Sequence, residues 1–371
     1  MAPEQTESDR RFMRQALRLA RKGLGRSSPN PAVGAVVVKS GRVVGRGFHD
    51  RAGSDHAEVR ALAQAGAAAR GATIYVTLEP CHHQGRTPPC TRAILEAGIR
   101  RVVFGAADPN PRVAGGGGRY LARKGLEVVP GVLEEACRLE HRFFFTHVTS
   151  GRPHVILKTA ATADGKTAAY TGHSRWVTGE KSRRFVHRLR DQMDAVCVGS
   201  GTLLADDPQL TCRLKGGRDP LRVVVDSDLK TPLSARVLDQ CAGGGCLVAC
   251  GQDPPAQKRR ALEDAGAEVL ILPRAEGGVD LAALLDELGR REITSLLVEG
   301  GGILAWGFLS QGLVDEVMYF YAPKIIGGQG AAPMVGGRGM AEMDQALRLR
   351  HIRLRRFDDD LMLWARVEKE A

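Results

Sequence analysis

The chain has no run of about 18 apolar residues, so a membrane-spanning helix is not predicted. Aromatic residues make up only 5% of the chain and are dispersed, which argues against the stacking surfaces that bind single-stranded RNA. The first residues mix Arg and Glu without an apolar segment, a pattern that is not typical of a signal peptide. These absences predict a cytoplasmic protein that binds neither membrane nor nucleic acid.

The eight cysteines show neither the spacing of a zinc ribbon nor that of a disulfide framework. Cys241, Cys246 and Cys250 flank an apolar run and are interpreted as buried strand or turn thiols. The chain also has no Gly-x-Gly-x-x-Gly fingerprint and no Walker-type loop, which argues against Rossmann and P-loop domains.

The net charge of +11 fits either nucleic acid or phosphorylated small molecules. The arginines are spread along the chain rather than gathered in one basic tail, so we favour phosphorylated small molecules.

Strand and helix patterns alternate along the 371 residues, which predicts an α/β fold with mostly parallel sheets. The length suggests two domains, and a Thr-, Ser- and Gly-containing segment at 143–153 suggests domains at 1–150 and 151–371. The first domain is predicted to have helices at 8–23 and 91–98, and strands at 33–38, 43–45, 73–78, 101–105 and 127–129. The second is predicted to have a helix at 303–310 and strands at 155–161, 195–199, 221–226, 246–250, 269–272, 295–298, 317–321 and 361–367.

A possible catalytic metal set stands in the first domain. His56-Ala57-Glu58 is followed by Pro80-Cys81 and, nine residues after Cys81, by Cys90. One imidazole and two thiolates can hold zinc and leave a fourth position open for water, whose pKa zinc lowers to about 7. Glu58 is then the proton shuttle of the nucleobase-deaminase signature.

The same residues also allow structural interpretations. Asp55 and Glu58 could form a capping box at the start of a helix, and the two cysteines could be buried free thiols. The order of these residues along the chain favours catalytic zinc, and Pro80 suggests that Cys81 lies in a first helical turn, where the helix dipole favours a thiolate.

Two glycine-containing loops stand out in the second domain, at 199–202 and 300–302. Each follows a predicted strand, and a loop of this kind can be either a tight turn or a phosphate site. The presence of two in one domain favours phosphate or dinucleotide binding.

Several longer stretches carry a family likeness. The first domain contains Asn30-Pro31, Thr77-Leu78-Glu79-Pro80-Cys81, Gly85-Arg86-Thr87-Pro88-Pro89-Cys90 and Asp108-Pro109-Asn110-Pro111. The second contains Leu157-Lys158, Asp164-Gly165-Lys166, Ser174-Arg175-Trp176, Asp206-Asp207-Pro208 and Val298-Glu299-Gly300-Gly301. From about Arg10 to Val367 the chain resembles the bifunctional deaminase–reductases of riboflavin biosynthesis. Most nucleobase deaminases close the cysteine pair as Cys-x-x-Cys, and the longer spacing here favours this family over RNA- or cytidine-acting relatives.

The resemblance implies both fold and activity. It implies a cytidine-deaminase-like three-layer α/β domain followed by a dihydrofolate-reductase-like α/β domain. The first would use Zn²⁺ to deaminate 2,5-diamino-6-(5-phosphoribosylamino)pyrimidin-4-one, and the second would use NADPH to reduce the ribosyl chain to ribityl. It also implies a phosphorylated pyrimidine as substrate and a homo-oligomer formed through the reductase domain.

The resemblance further implies residue roles. The zinc ligands would be His56, Cys81 and Cys90, and the catalytic residues Glu58, Lys158 and Asp206. The NADPH-binding residues would be Ala160, Trp176, Thr202, Asp206, Ser227, Gly301 and Gly302. The substrate-binding residues would be Asn30, His49, His83, Arg86, Asp108, Asn110, Ser174, Arg190, Leu210, Arg213 and Glu299.

Other interpretations remain at this point. Without the resemblance, Lys158 would be a strand-edge surface lysine, Trp176 a core aromatic residue and Asn30 a turn residue. An RNA-editing deaminase is a rival enzyme class, and a structural zinc module joined to an NADPH-sensing domain is a non-enzymatic one. The second rival needs a fourth zinc ligand; His82 and His83 are rejected for that role because they would close the site to water.

Overall fold

The computed structural model describes residues 3–84, 88–110, 116–239, 241 and 245–369. It divides into two compact units, Met1–Arg152 and Pro153–Ala371. Among the described residues, no helix combines the length and the apolar character that crossing a membrane requires.

The first unit is a five-stranded mixed sheet with helices. Its helices are α1 Pro3–Ala20, α2 Ala57–Ala65, α3 Cys90–Glu96, α4 Gly116–Arg123, α5 Glu134–Glu140 and α6 Arg142–Ser150. Its strands are β1 Gly34–Lys39, β2 Arg42–Phe48, β3 Thr73–Leu78, β4 Arg101–Ala106 and β5 Glu127–Val129, in the order β2-β1-β3-β4-β5. Strands β3, β4 and β5 are parallel, and β1 is antiparallel to both of its neighbours.

Small residues bring helices onto both faces of this sheet. A Cβ built on Gly34 of β1 would collide with the backbone of Ala16 in α1. A Cβ built on Gly47 of β2 would collide with the backbone of Ala57 in α2. Because Gly47 pairs with Ala35, the neighbour of Gly34, these two glycines face opposite sides of the sheet. The unit therefore has three layers, with α1 and α2 on opposite faces.

A buried ion pair fastens α1 to the sheet. Asp9 of α1 and Arg101 of β4 are 1% and 3% exposed, and two guanidinium nitrogens of Arg101 donate to the Asp9 carboxylate at 2.8 and 2.9 Å. The Tyr75 hydroxyl donates to the same carboxylate at 2.8 Å. Each buried charge is thus paired and hydrogen-bonded, as the low dielectric of the interior requires.

The second unit contains a nine-stranded sheet. The strands of the unit are β6 His154–Thr162, β7 Lys166–Ala168, β8 Ala195–Gly199, β9 Leu221–Val225, β10 Cys246–Cys250, β11 Glu268–Ile271, β12 Arg274–Ala275, β13 Gly278–Val279, β14 Ser295–Val298, β15 Glu316–Ala322, β16 Ala332–Pro333, β17 Leu349–Phe357 and β18 Asp360–Val367. Its helices are α7 Glu180–Gln192, α8 Ser200–Asp206, α9 Ala256–Asp264, α10 Leu281–Arg290 and α11 Gly302–Ser310. Strands β7 and β16 form a separate two-stranded sheet, as do β12 and β13.

The large sheet has the order β11-β10-β9-β8-β14-β6-β15-β18-β17. The first seven strands in that order are parallel, and β18 and β17 are antiparallel additions at one edge. The parallel strands are almost continuous runs of Val, Leu and Ala, as expected for a sheet covered on both faces. Their carboxyl ends meet along one edge, where open α/β sheets bind ligands.

Local features differ from the sequence predictions. The helix predicted at 8–23 spans Pro3–Ala20, and the one predicted at 91–98 begins at Cys90 and ends at Glu96. The boundary segment at 143–153 is mostly helical, because α6 continues to Ser150 and ends at Gly151 in the left-handed region. Strand β17 was not predicted, since five Arg residues in 348–356 hide its alternation.

Candidate active sites

Three potential metal ligands meet beyond the end of β3. His56 is the N-cap of α2, Cys81 follows β3 and Cys90 is the first residue of α3. His56 Nδ1 lies 3.1 Å from Cys90 Sγ and 3.6 Å from Cys81 Sγ. The Cys90 amide donates to Cys81 Sγ at 3.3 Å. All three ligand atoms lie within 4.8 Å of one another, close enough for a single ion to contact them all.

The carboxylate beside this set is strongly buried. Glu58 lies in the first turn of α2 and is 4% exposed. Burial raises the pKa of Glu58 to about 7, and the negative charge of Cys81 adds to the effect. A carboxyl group with such a pKa can both accept and donate a proton near neutral pH.

The thiol and imidazole groups influence one another. The hydrogen bond with Cys90 lowers the pKa of Cys81 to about 4, and His56 acts in the same direction. The hydrogen bond with Cys81 raises the pKa of His56. Cys81 is therefore held as a thiolate, the form in which cysteine binds metals.

Two sequence interpretations of this region are wrong. The N-cap of α2 is His56, with no side-chain capping bond, so Asp55 and Glu58 do not form a capping box. Cys81 does not lie in a helical turn, because residues 79–82 are not helical and the Glu79 amide still bonds to the Ala106 carbonyl at the end of the sheet. The cysteine at a helix N-terminus is Cys90.

Two predicted substrate residues lie next to the metal set. Asn30 Nδ2 is 3.1 Å from His49 Nε2, and His49 Nδ1 is 3.3 Å from the carbonyl oxygen of Asp55. The His49 ring meets the His56 ring edge to face, with centroids 5.2 Å apart. Burial lowers the pKa of His49, which favours its neutral form.

The predicted residues after β4 lie beside the loop that follows β3. The Asp108 amide donates to Glu79 Oε2 at 3.4 Å, and the Asn110 amide donates to Asp108 Oδ1 at 2.9 Å. Burial raises the pKa of Asp108, with Glu79 adding to this effect and His83 opposing it. Arg86 lies outside the described residues. Glu79 was missed as a site residue, although its position directly before Pro-Cys was a signal.

In the second unit, four neighbouring parallel strands carry predicted NADPH residues at or near their carboxyl ends. Ser227 follows β9, Thr202 follows β8, Gly301 follows β14 and Ala160 lies near the end of β6. The Gly301 amide donates to Thr202 Oγ1 at 2.8 Å, so the two glycine loops are in contact. Ser227 Oγ accepts a hydrogen bond from the Val279 amide at 3.0 Å.

A buried charge cluster lies on the same part of the sheet. Arg190 Nε and Nη2 donate to Glu299 at 2.8 and 3.1 Å, and Lys158 Nζ lies 3.9 Å from Glu299. Burial opposes ionisation of Glu299, but Arg190 and Lys158 outweigh it and lower its pKa to about 2. Burial lowers the pKa of Lys158. The interpretation of Lys158 as a surface lysine is wrong, because β6 is a central strand.

Asp206 and Trp176 lie on segments that meet near these strand ends. Ser174 Oγ donates to Asp206 Oδ1 at 2.9 Å, and Arg175 Nη2 donates to the Asp206 carbonyl at 2.6 Å. Trp176 is 59% exposed, so its interpretation as a core residue is wrong. The Arg183 guanidinium stacks 4.5 Å from the centroid of the Trp176 ring.

The remaining predicted substrate residues belong to the segment after α8. Leu210 is buried, and the Arg213 amide donates to His187 Nδ1 at 3.3 Å. Burial lowers the pKa of Arg213, and the nearby charges of Arg190, Arg236 and Arg175 lower it further. Sequence reasoning missed Arg236, Arg175 and His187 as neighbours of this group, since only the folded chain brings them together.

Comparisons with known proteins agree with this arrangement. Residues 6–106 match the family described as the cytidine and deoxycytidylate deaminase zinc-binding region, and residues 153–363 match the RibD C-terminal domain. The riboflavin biosynthesis protein RibD of Actinobacillus pleuropneumoniae is 42% identical over 96% of this chain and 95% of its own length. The structure of Acinetobacter baumannii RibD has a TM-score of 0.86 and 38% identity, and the match covers 98% of this chain and all of that one.

A structure from Thermotoga maritima is similar over 98% of this chain and 99% of that one, with a TM-score of 0.84 and 39% identity. It is described as a diaminohydroxyphosphoribosylaminopyrimidine deaminase and 5-amino-6-(5-phosphoribosylamino)uracil reductase.

The fold and the two sites define a zinc-dependent deaminase domain joined to a reductase domain. The chain belongs to the RibD family of bifunctional deaminase–reductases of riboflavin biosynthesis. The predicted α/β fold, with a deaminase-like first domain and a reductase second domain, is confirmed. Zinc serves the first domain and NADPH the second.

Proposed function

We propose that His56, Cys81 and Cys90 hold the zinc ion and that Glu58 moves the protons of the deamination. The convergence of one imidazole, two thiols and a buried carboxyl group carries this proposal. The donor set fits the metal, since zinc prefers nitrogen and sulfur ligands and catalytic sites keep three protein ligands. Bound zinc would supply Lewis acidity and so make water a nucleophile near neutral pH.

Glu58 works in two directions in this proposal. It accepts one proton from the attacking water and delivers it to the ring nitrogen of the pyrimidine. It then accepts the second proton, from the hydroxyl group now on the attacked carbon, and delivers it to the amino group, which leaves as ammonia while the carbonyl forms. The buried carboxyl group with its raised pKa supports this role. Asn30 and His49 hold the pyrimidine, together with His83, Asp108 and Asn110, and the phosphate is assigned to Arg86.

Exchange of Glu58 for glutamine tests the deaminase proposal. Glu58→Gln should still bind one zinc ion per chain, because the three ligands are untouched. Its rate of ammonia release should fall by orders of magnitude. A zinc-loaded variant with normal turnover would show that Glu58 is not the proton shuttle.

In the second domain, 151–371, bound NADPH would deliver hydride to C1′ of the ring-opened ribosyl chain. The residues that would hold the cofactor are Ala160, Trp176, Thr202, Asp206, Ser227, Gly301 and Gly302, most of which lie at or near the four strand ends. The contact between the two glycine loops supports this location. Lys158 supplies a proton or stabilises developing charge, and Asp206 orients Ser174 toward the substrate.

Arg213 holds the phosphorylated end of the reductase substrate in this proposal. The positive charges of Arg175, Arg190 and Arg236 near it support an anionic ligand. The hydrogen bonds between Arg190 and Glu299 fix both side chains. Leu210 is a buried residue of the segment that carries Arg213. The small phosphorylated pyrimidine, rather than nucleic acid, is the partner.

A single cuvette can test the two domains separately. Ammonia release and NADPH oxidation are followed together on the zinc-loaded protein with the diaminopyrimidinone substrate. Lys158→Ala should leave ammonia release unchanged and reduce NADPH oxidation. A loss of both activities without unfolding would contradict the assignment of one site to each domain.

The chain assembles as a homo-oligomer through its reductase domain. The edge strand β17 supports this, because its apolar residues Ile352 and Leu354 are 57% and 62% exposed. A Leu354→Asp variant should shift the mass in light scattering toward the monomer. A cytoplasmic location is also proposed, supported by eight free cysteines.

A further inference from the structure

Bringing the two cysteines of the metal set together costs conformational entropy, because the chain between them is long. Cys81 lies in irregular backbone after β3, and eight residues separate it from Cys90. A ligand on a long connection must be ordered by other contacts before a metal can use it. Cys90 has such support, because it opens α3 and is fully buried.

Backbone contacts join the two cysteine segments directly. The Thr91 amide donates to the Cys81 carbonyl at 3.2 Å, next to the bond from the Cys90 amide to Cys81 Sγ. These bonds bring Cys81 to the first turn of α3. They leave the backbone after Cys81 to be fixed by side chains.

His82 adds a side-chain hydrogen bond next to these two bonds between the loop and α3. Its Nδ1 is 2.9 Å from Thr91 Oγ1, and Thr91 is 1% exposed and therefore well fixed in α3. The face of the His82 ring stacks on Tyr120 of α4, with centroids 3.8 Å apart. His82, which follows Cys81, is thus hydrogen-bonded to Thr91, which follows Cys90. The His82 imidazole is fixed at its edge by Thr91 and on its face by Tyr120.

Helix α4 supports the same segment from the other end. A Cβ built on Gly117 would collide with the carbonyl oxygen of Pro80, so the helix touches the backbone just before Cys81. The Gly118 amide donates to Glu79 Oε1 at 2.8 Å. The segment from Glu79 to His82 is held at both ends.

We propose that His82 and Thr91 form a clamp that positions Cys81 and Cys90 for zinc across the long connection. The inference rests on the proposed zinc role of the two cysteines. His82 is a positioning residue in this clamp, not a fourth ligand, because Thr91 engages its Nδ1 and neither of its ring nitrogens belongs to the metal set. Among the described residues, the group able to share one ion contains only His56, Cys81 and Cys90.

The rate of zinc release tests the clamp on the full-length, zinc-loaded protein. A chromogenic chelator in excess reports the rate without any need for substrate. His82→Phe keeps an aromatic ring on Tyr120 but removes the bond to Thr91, and Thr91→Val removes the same bond from the other side. Each should release zinc about tenfold faster or more, the range found when the supports of metal ligands are removed.

Three further variants separate positioning from general damage. His82→Asn places a side-chain amide where Nδ1 stands and should restore most of the slow release. Gln84→Ala changes an exposed residue of the same loop and should release zinc at the wild-type rate. The double variant of His82→Phe and Thr91→Val should release zinc no faster than the faster single variant, since both remove one shared bond.

Wild-type release rates in both His82→Phe and Thr91→Val would overturn the clamp and leave the proposed zinc site standing. A wild-type chain that binds no zinc would overturn the zinc site and the clamp together. Faster zinc release from Gln84→Ala as well would overturn the clamp, because any change in this loop would then have the same effect.

Discussion

Glu299 is predicted to be a major source of stability in the second unit at neutral pH. It is buried, and its carboxylate is fixed by Arg190 and lies 3.9 Å from Lys158. Its pKa is about 2, against an ordinary value of 4.5. Each unit of pKa corresponds to about 1.4 kcal/mol, so ionised Glu299 stabilises the folded state by about 3 kcal/mol.

The sign of the pH dependence follows from the lowered pKa. The stabilisation is fully present above pH 4.5 and is lost as the pH falls toward 2, because the unfolded chain takes up the proton first. Removing one partner of a buried ion pair costs about 3–5 kcal/mol in general, which agrees with this value. Burial lowers the pKa of Lys158, so the stabilisation belongs mainly to the pair of Glu299 with Arg190.

Exchange of Glu299 for glutamine measures this contribution. All three tryptophans, Trp176, Trp306 and Trp364, lie in the second unit, so tryptophan fluorescence follows the unfolding of this unit alone. In urea at pH 6, Glu299→Gln should lower the free energy of unfolding by about 3 kcal/mol. At pH 3.5 the difference from wild type should be smaller by about 1.4 kcal/mol.

Glu276→Gln is the matched control, because Glu276 is an exposed glutamate of the same unit. It should leave the urea midpoint unchanged. The reasoning is refuted if Glu299→Gln unfolds at the wild-type urea concentration at pH 6. It is also refuted if the loss is the same at pH 6 and pH 3.5.

Three other predictions concern single substitutions. Asp9→Ala removes the buried carboxylate that pairs with two guanidinium nitrogens of Arg101, while Glu127 still accepts from Nε. It should cost the first unit about 3 kcal/mol, measured by circular dichroism in urea; an unchanged midpoint would contradict the pairing. Gly117→Ala places a methyl group against the Pro80 carbonyl and should lower zinc content after dialysis. Gly125→Ala strains a positive φ at an exposed turn but meets no atom there, so it should leave the zinc content unchanged. Arg213→Ala should raise KM for the reductase substrate at least tenfold with a smaller effect on KM for NADPH; equal effects on both would argue against a phosphate contact.

The sheets and the metal set were predictable because their signals are local. Apolar runs of four to eight residues indicated the parallel strands, and the order of His56, Glu58, Cys81 and Cys90 indicated a metal site before any fold was known. These patterns depend on neighbours along the chain. The strand ends then bring together residues that lie far apart in the sequence, such as Thr202 and Gly301, which are 99 positions apart.

The missed features depend on tertiary contacts instead. Glu79 and His82 acquire their roles only where α3 and α4 touch the loop after β3. Without the family resemblance, the residue pattern suggests a surface lysine at Lys158, because the sequence does not show that β6 lies in the middle of the sheet. The helical turn expected at Pro80 is not formed: residues 79–82 are not helical, and the Cys81 carbonyl instead accepts from the Thr91 amide in the first turn of α3.

The division of the chain between residues 152 and 153 has a genetic consequence. The proposed deaminase residues lie between 30 and 110, and the proposed reductase residues lie between 158 and 302. A mutation that inactivates one half leaves every assigned residue of the other half in place. Two such mutants, each defective in a different half, should therefore restore growth without added riboflavin when both are expressed in one cell.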